Sequence, residues 1–395
     1  MNMTTKKDIF EEHLPAWLTA RGNRKKRGTI TDHLCFVTGM HRNSVPRKFR
    51  SLQMRDPSHT ETRGRGTYYT SDVTAALKEV WRVGDEACGE LLHPQIKEYI
   101  EILVRDGLWH HGDEATAKLQ TMSEHTVRRR IACFTPSRGR GKGCSSTKPS
   151  SLKSIIPIFK GPWKHLPPGY EQIDTVAHCG ETLLGDFAYT VSAIDAAAYW
   201  MTARAQWNKG QEATVLGLSS IHDALPFPWI EAHPDTGSEF INWHCKKWCD
   251  TKKITMSRSE PTKKNDNMYV EERNGHVVRR YLGYRRFNCP QVVPLMNDFY
   301  RVLGLYLNHF KAVRRQLSKE RVGAKYVRKY EKVAKTPYSR VLEHPTIGED
   351  TKEKLRREHA TLNPLVLKRE MDALLGVVHH QQTRHDHRNC GCSFR

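Results

Sequence analysis

The sequence has no run of about 18 apolar residues, so no segment reads as a membrane-crossing helix. Its first residues, MNMTTKKDIFEEHLPAW, hold no apolar signal core and carry acids early, which predicts a protein that is not exported. Cysteine is too sparse for a disulfide scaffold: ten in 395 residues, expected to be reduced thiols in the absence of export. Acidic residues are also outnumbered. Against 43 Asp and Glu stand 64 Lys and Arg, a net charge of +21. So basic a chain calls for an acidic polymer as partner, and nucleic acid is the natural one.

What is present centres on Gly169 to Arg280. Gln172 to His178 alternates polar and apolar residues as a half-buried strand does, and Asp174 lies within it. Further strands are expected at Phe187–Ala198, Tyr199–Gln206, Trp229–Ala232 and Ile254–Met256, with helices at Lys209–Leu225, Ser238–Asp250 and Asn267–Phe287. The fourth strand delivers Asp235 at its exit, and the last helix carries Glu271 in its first turn. This order predicts an α/β core, a mixed five-stranded sheet with flanking helices. Three carboxylates converging from two strand ends and a helix suit Mg²⁺, which takes hard oxygen ligands and few carboxylates. A pair of such ions serves phosphoryl transfer by stabilising both attacking and leaving oxygens. Asp195, a fourth acid in a strand, is expected to be structural.

The words around the acids resemble those of the DDE transposases and retroviral-type integrases. HPDTGSEF is similar to the family's H-x-D-N-G-x-x-F, and NMYVEERN to its V/I-E-x-x-N. Sixty residues separate Asp174 from Asp235 and 35 separate Asp235 from Glu271, as in the family's DD-35-E arrangement. IDTVAHCG, DTGSEFIN, SRSEPTKKNDN and VVRRYLGYRRF resemble a bacterial insertion-sequence transposase group with an integrase catalytic core, over roughly residues 25 to 345. The resemblance implies a ribonuclease-H-like fold and metal-dependent cutting and joining of double-stranded DNA, both transposon ends and target. It implies two Mg²⁺ ions, with Mn²⁺ as a substitute, held by Asp174, Asp235 and Glu271. Asn274, Thr236 and Gly237 would support them. Thr236 stands where the family word has Asn, keeping a hydroxyl and losing an amide. A homo-oligomer, dimer or tetramer, is expected on paired ends, in a bacterial cytoplasm near the nucleoid. The alternatives are an inactive or domesticated DNA-binding regulator of the same fold, and a nuclease that cuts without joining.

In chain order, residues 1–60 read as a helix-turn-helix domain, with helices at Thr29–Val37 and Arg42–Leu52 about a turn at Gly39. Arg42, Arg47, Lys48 and Arg50 would face DNA, and Pro46 must lie in the second helix's first turn. Residues 68–134 read as a second helical domain ending in another such unit, with Ser123 as cap and Arg128, Arg129 and Arg130 on its polar side. Residues 135–165, with Arg138, Arg140 and Lys142, read as a flexible basic linker along DNA. The catalytic core spans 166–290, with Lys263, Lys264 and Arg279 as further DNA contacts. Residues 291–345 hold a long helix, Val292–Phe310, and a basic segment able to pair as strands or lie extended on DNA. Residues 346–395 read as helices broken at Asn363-Pro364, then a disordered tail rich in His and Cys. The tail, His244/Cys245/Cys249 and His33/Cys35/His41 have poor zinc spacing, and no zinc site is assigned to them.

Overall fold

The computed structural model describes residues 3–54, 68–134, 156–157, 166–234, 239–258, 270, 274–322 and 325–391. It divides into two compact units, Met1–Tyr68 and Tyr69–Arg395.

In the first unit, α1 (Met3–Thr19), α2 (Arg24–Thr38) and α3 (Ser44–Gln53) close around Phe10, Trp17, Leu34, Val45 and Phe49. Asn23 caps α2 by accepting from the Lys26 N–H, and Gly39 ends it at φ 66°, a left-handed conformation that suits glycine. Starting α3 at Ser44 places Pro46 in the first turn, where its missing N–H costs nothing. Arg42 is thereby left before the helix instead of on it, paired with Asp32. Arg47 and Arg50 are exposed on the side away from Val45 and Phe49, and Lys48 is half-buried at its edge.

The second unit begins with α4 (Ser71–Val83), α5 (Gly89–Leu92), α6 (Ile96–Arg105), α7 (Asp113–Gln120) and α8 (Glu124–Ile131). As expected, Ser123 caps α8, accepting from the Thr126 N–H. A mixed five-stranded sheet follows: β1 (Tyr170–Ala177), β2 (Ala188–Asp195), β3 (Met201–Trp207), then α9 (Gln211–Ala224), β4 (Glu231–Pro234), α10 (Trp243–Lys252) and β5 (Thr255–Met256). The strand order is β3-β2-β1-β4-β5. β1 is central, antiparallel to β2 and parallel to β4. This is the mixed five-stranded sheet with flanking helices that the sequence predicts.

One face of the sheet packs on α9 and α10 through Ile173, Val191, Leu218, Ile221, Phe240, Cys245 and Cys249. Both α10 thiols are thus core residues. The buried Ile156 joins this cluster, and Arg258 holds its carbonyl from Nε at 2.9 Å. So the stretch read as a flexible linker contains a docked residue; the rest of 135–165 lies outside the described residues.

The other face packs on α12 (Val292–Phe310), which follows α11 (Arg279–Leu282) and matches its expected bounds. Asn297 and Asn308 of α12 each bond both the N–H and the C=O of a β3 residue, Ala205 and Met201. Edge strand β3 is thereby covered. Beyond α12 come a ribbon of β6 (Gln316–Val322) and β7 (Lys325–Tyr330), then α13 (Pro337–Glu343), α14 (Glu349–Thr361) and α15 (Pro364–Gly391). The break at Asn363-Pro364 is present. Of the stretch expected as a disordered tail, the described residues up to Gly391 lie in α15, whose Leu367, Met371 and Val378 pack in the core with α12.

The expected boundary between the second helical domain and the core is absent. Val73, Leu77, Val80, Tyr99 and Leu103 of α4 and α6 share one apolar cluster with α12 and α15. Two buried tyrosines stitch the parts together: Tyr99 donates to Phe310 O at 2.8 Å and Tyr306 to Val83 O at 2.6 Å. Asp85, in a left-handed conformation at φ 54° and buried, meets Arg280 at 3.1 Å and Lys311 and Lys368 at 3.3 Å each. Tyr281 donates to it at 2.8 Å.

Candidate active site

β1 presents Gln172 and Asp174 on the sheet face opposite Ile173 and Thr175, as period two requires. Asp174 is half-buried. Its Oδ1 accepts from the Thr175 N–H at 2.7 Å and its Oδ2 from the Asn274 side-chain amide at 2.7 Å. The Asn274 carbonyl in turn accepts from Ser192 Oγ at 2.6 Å. Ser192 is Asp174's partner in the β1–β2 register. A carboxylate accepts, so the amide must turn its NH₂ to Asp174 and its oxygen to the serine hydroxyl. Asn274 is buried, and this network fixes both side chains.

Asp235, Thr236 and Gly237 lie outside the described residues, as do Glu271, Lys263, Lys264, Arg138, Arg140 and Lys142. The described residues to either side of the two acids, Pro234 and Glu239, Val270 and Asn274, meet β1 beside Asp174. Pro234, just before Asp235, pairs with Ile173 in the parallel register. Glu239 accepts from Thr175 Oγ1 at 3.1 Å. Val270, just before Glu271, donates its N–H to Gln172 Oε1 at 3.3 Å. Asn274 follows three residues after Glu271. Among the described residues, no cluster of three or more His, Cys, Asp or Glu is placed to hold a metal ion.

The segment after Glu271 corrects the expected long helix. Asn274–Val278 is a π-helical turn, α11 is a single α-turn, and Gly283 ends it at φ 70°. π turns accommodate an extra residue and recur at functional sites. Here the turn begins at the residue that bonds Asp174.

Arg279 is engaged within the fold. It is half-buried, donates to Ala177 O at 2.7 Å and stacks over Tyr284, and burial holds its pKa below the usual guanidinium range. Arg130 is likewise engaged, with Thr74 and Tyr69. Arg128 pairs with Glu90 at 3.3 Å. Arg129 is exposed.

Other polar groups are structural. Asp195 accepts from the N–H groups of Gly169, Ala197 and Ala198, shaping the β2–β3 turn. Burial raises its pKa to about 6. Its register partner Glu171 is fully buried, and burial, then the Asp195 charge, pushes its pKa well up. His233 of the HPD word is buried with its pKa lowered to about 3 by burial. Ser257 donates to Glu231 at 2.5 Å, so the 2.7 Å contact between His233 Nδ1 and Ser257 Oγ must be donated by the histidine. That histidine ties β4 to β5.

Gln172, Ser192 and Glu239 were not singled out from sequence. Gln172 was findable, two residues before Asp174 on one strand face. Ser192 enters only through the register of β2 on β1.

No family model matches the sequence. A Sinorhizobium fredii protein, y4rM, described as uncharacterized, is 28% identical over 331 residues, 84% of this chain and 93% of its own length. A solved structure of the HTLV-2 integrase catalytic core domain, in complex with magnesium and in dimeric form, aligns at 18% identity and a TM-score of 0.28. It covers 38% of this chain and 93% of its own.

Proposed function

We propose that the chain is a DNA transposase or integrase, a polynucleotidyl transferase that binds an element's ends, cuts them and joins them to target DNA. One observation carries the reading. The described residues flanking Asp235 and Glu271 are tied to β1 within two positions of Asp174, and Asn274 is bonded to Asp174 itself.

The donor set fits Mg²⁺. Asp174 offers hard oxygens, and a carboxylate has about four acceptor positions, which two N–H bonds do not exhaust. Asp174, Asp235 and Glu271 would hold two such ions, which supply charge neutralisation at the scissile phosphate and ease deprotonation of the attacking oxygen.

The protein's own part is orientation. Asn274 and the Thr175 N–H fix the Asp174 carboxylate before substrate arrives, and Ser192 fixes Asn274. In the first step a water oxygen bonds to the end phosphorus and gives up a proton, while the bond to the departing 3′-oxygen breaks and that oxygen takes up a proton to become a 3′-hydroxyl. In the second, that 3′-hydroxyl oxygen attacks a target phosphate, loses its proton and displaces the target's 3′-oxygen. Neither step needs a covalent protein–DNA bond, so no Ser or Tyr nucleophile is assigned. The helix pairs α2–α3 and α7–α8 are assigned as helix-turn-helix units for the ends, with Arg47, Lys48, Arg50 and Arg129 toward DNA. Holding two ends together requires a dimer or tetramer.

The test incubates purified protein with the DNA flanking its gene, a supercoiled plasmid and Mg²⁺, and sequences the products. The proposal expects end cleavage and junctions with the plasmid. Cleavage without junctions would assign a nuclease instead. Tight binding without any product, in Mg²⁺ or Mn²⁺, would assign a regulator.

A further inference from the structure

The β6–β7 ribbon stands out from the unit with nearly every described side chain in solvent. A lone pair of strands has no core of its own and is marginal in water. This one is built on a firm base. Arg340, buried, forks onto the Glu331 carboxylate at 2.9 and 2.5 Å and donates to Val313 O at 2.9 Å. Arg340 and Arg315 both lie over the Tyr199 ring, which sits in the β2–β3 turn at φ 62°. Arg315 also donates to Ala197 O. The blade is therefore rooted on the turn that Asp195 shapes.

The blade's composition selects its partner. Its strands carry Lys319, Arg321, Lys325, Arg328 and Lys329 against one acid, Glu320. Alternation divides them. Arg321 and Tyr326 are register partners, and Arg328 and Tyr330 follow at period two on the same face. The opposite face carries Lys325, Val327, Lys329 and Glu320, and Glu320 meets Lys329 at 4.0 Å. The ribbon's acid thus lies away from the Arg321–Tyr326–Arg328–Tyr330 face. Tyr326 and Tyr330 are 56% and 46% exposed, large amphipathic surface left in water beside two guanidinium groups.

We infer that this face is a groove-contacting wing for double-stranded DNA. The inference rests on the joining function proposed above for the partner, and on charge complementarity for the face. A two-stranded ribbon fits the major groove, about 12 Å wide, and six residues of strand reach roughly 20 Å along it. Arg321 and Arg328 contact phosphates or guanine edges, and the tyrosines pack on sugar and base edges.

The test measures fluorescence anisotropy of a labelled duplex from the DNA flanking the gene, across a salt series, with the full chain. Arg321→Ala/Arg328→Ala is expected to raise Kd at least about tenfold and lower the salt slope by about two, near 0.9 per lost phosphate contact. Lys325→Ala/Lys329→Ala removes the same charge from the other face and is expected to stay within about threefold. Tyr326→Ala is expected to raise Kd with the slope unchanged. Circular dichroism on each variant checks the fold. Equal weakening by both double variants would overturn the inference, since the ribbon would then act as diffuse charge. Unchanged affinity in the Arg321→Ala/Arg328→Ala variant, with wild type still binding and joining DNA, would overturn the wing and leave the function standing. So would loss of self-association in that variant at unchanged DNA affinity. Failure of wild type to bind or join any duplex would overturn both.

Discussion

Asn274 donates its side-chain N–H to Asp174 over 2.7 Å, across 100 residues of chain. The residue that follows Glu271 by three is thereby fastened to the first acid of the set. Removing the donor should loosen both. Asn274→Ala is expected to slow strand joining by about 10²-fold, the scale of an ångström-sized misplacement, with duplex affinity nearly unchanged. It also leaves buried Ser192 without that acceptor, at a cost of about 1–3 kcal/mol in denaturant unfolding. Joining at the wild-type rate would remove Asn274 from the site.

Glu171 and Asp195 face each other in register, both fully buried and both with raised pKa values, Asp195 to about 6. An acid whose pKa is raised on folding holds its proton more tightly in the folded state. Its favourable contribution is complete below the ordinary carboxylate range and is lost as pH rises through 6 and above. Wild-type Tm is expected to fall between pH 5 and 8, and Glu171→Gln to flatten that fall. Parallel Tm profiles for the two proteins would contradict this.

Asp85 binds the helical region to the core through Arg280, Lys311 and Lys368. Asp85→Asn keeps a residue that tolerates the left-handed backbone and removes the charge, leaving three cations together. Unfolding free energy is expected to drop by about 3–5 kcal/mol. Because the two regions share one apolar cluster, a fragment of residues 69–395 should melt in a single transition. A fragment of residues 166–290 alone would expose the sheet face that α12 covers, and should aggregate. Two separate transitions in the larger fragment would contradict the continuous core.

How much of this was legible varied by element. Val292–Phe310 could be read to the residue because its apolar positions recur at helical spacing over nineteen residues and Pro290 and Pro294 mark its start. Asp174 could be read from strict alternation. The union of the helical region with the core could not: the apolar stripes of α4 and α6 would serve equally well in a separate bundle, and only tertiary packing decides. The π turn at Asn274 escaped for the same reason. Local spacing there reads as an α-helix, while the bond to Asp174 and the ties at Val270 fix where its residues sit. Arg138, Arg140 and Lys142 of the linker and Lys263 and Lys264 of the core, all expected to touch DNA, carried sequence signals but lie outside the described residues.

The most direct test of the account takes a short duplex with a free 3′-hydroxyl at the element's end, a plasmid target and Mg²⁺. It compares wild type with Asp174→Asn, Asp235→Asn and Glu271→Gln. The account predicts that wild type joins the strand and that each variant loses joining by at least about 10³-fold, the scale of a lost catalytic group, while binding the duplex as tightly. Joining by any one of the variants at near the wild-type rate would remove that acid from the site and contradict the three-carboxylate centre.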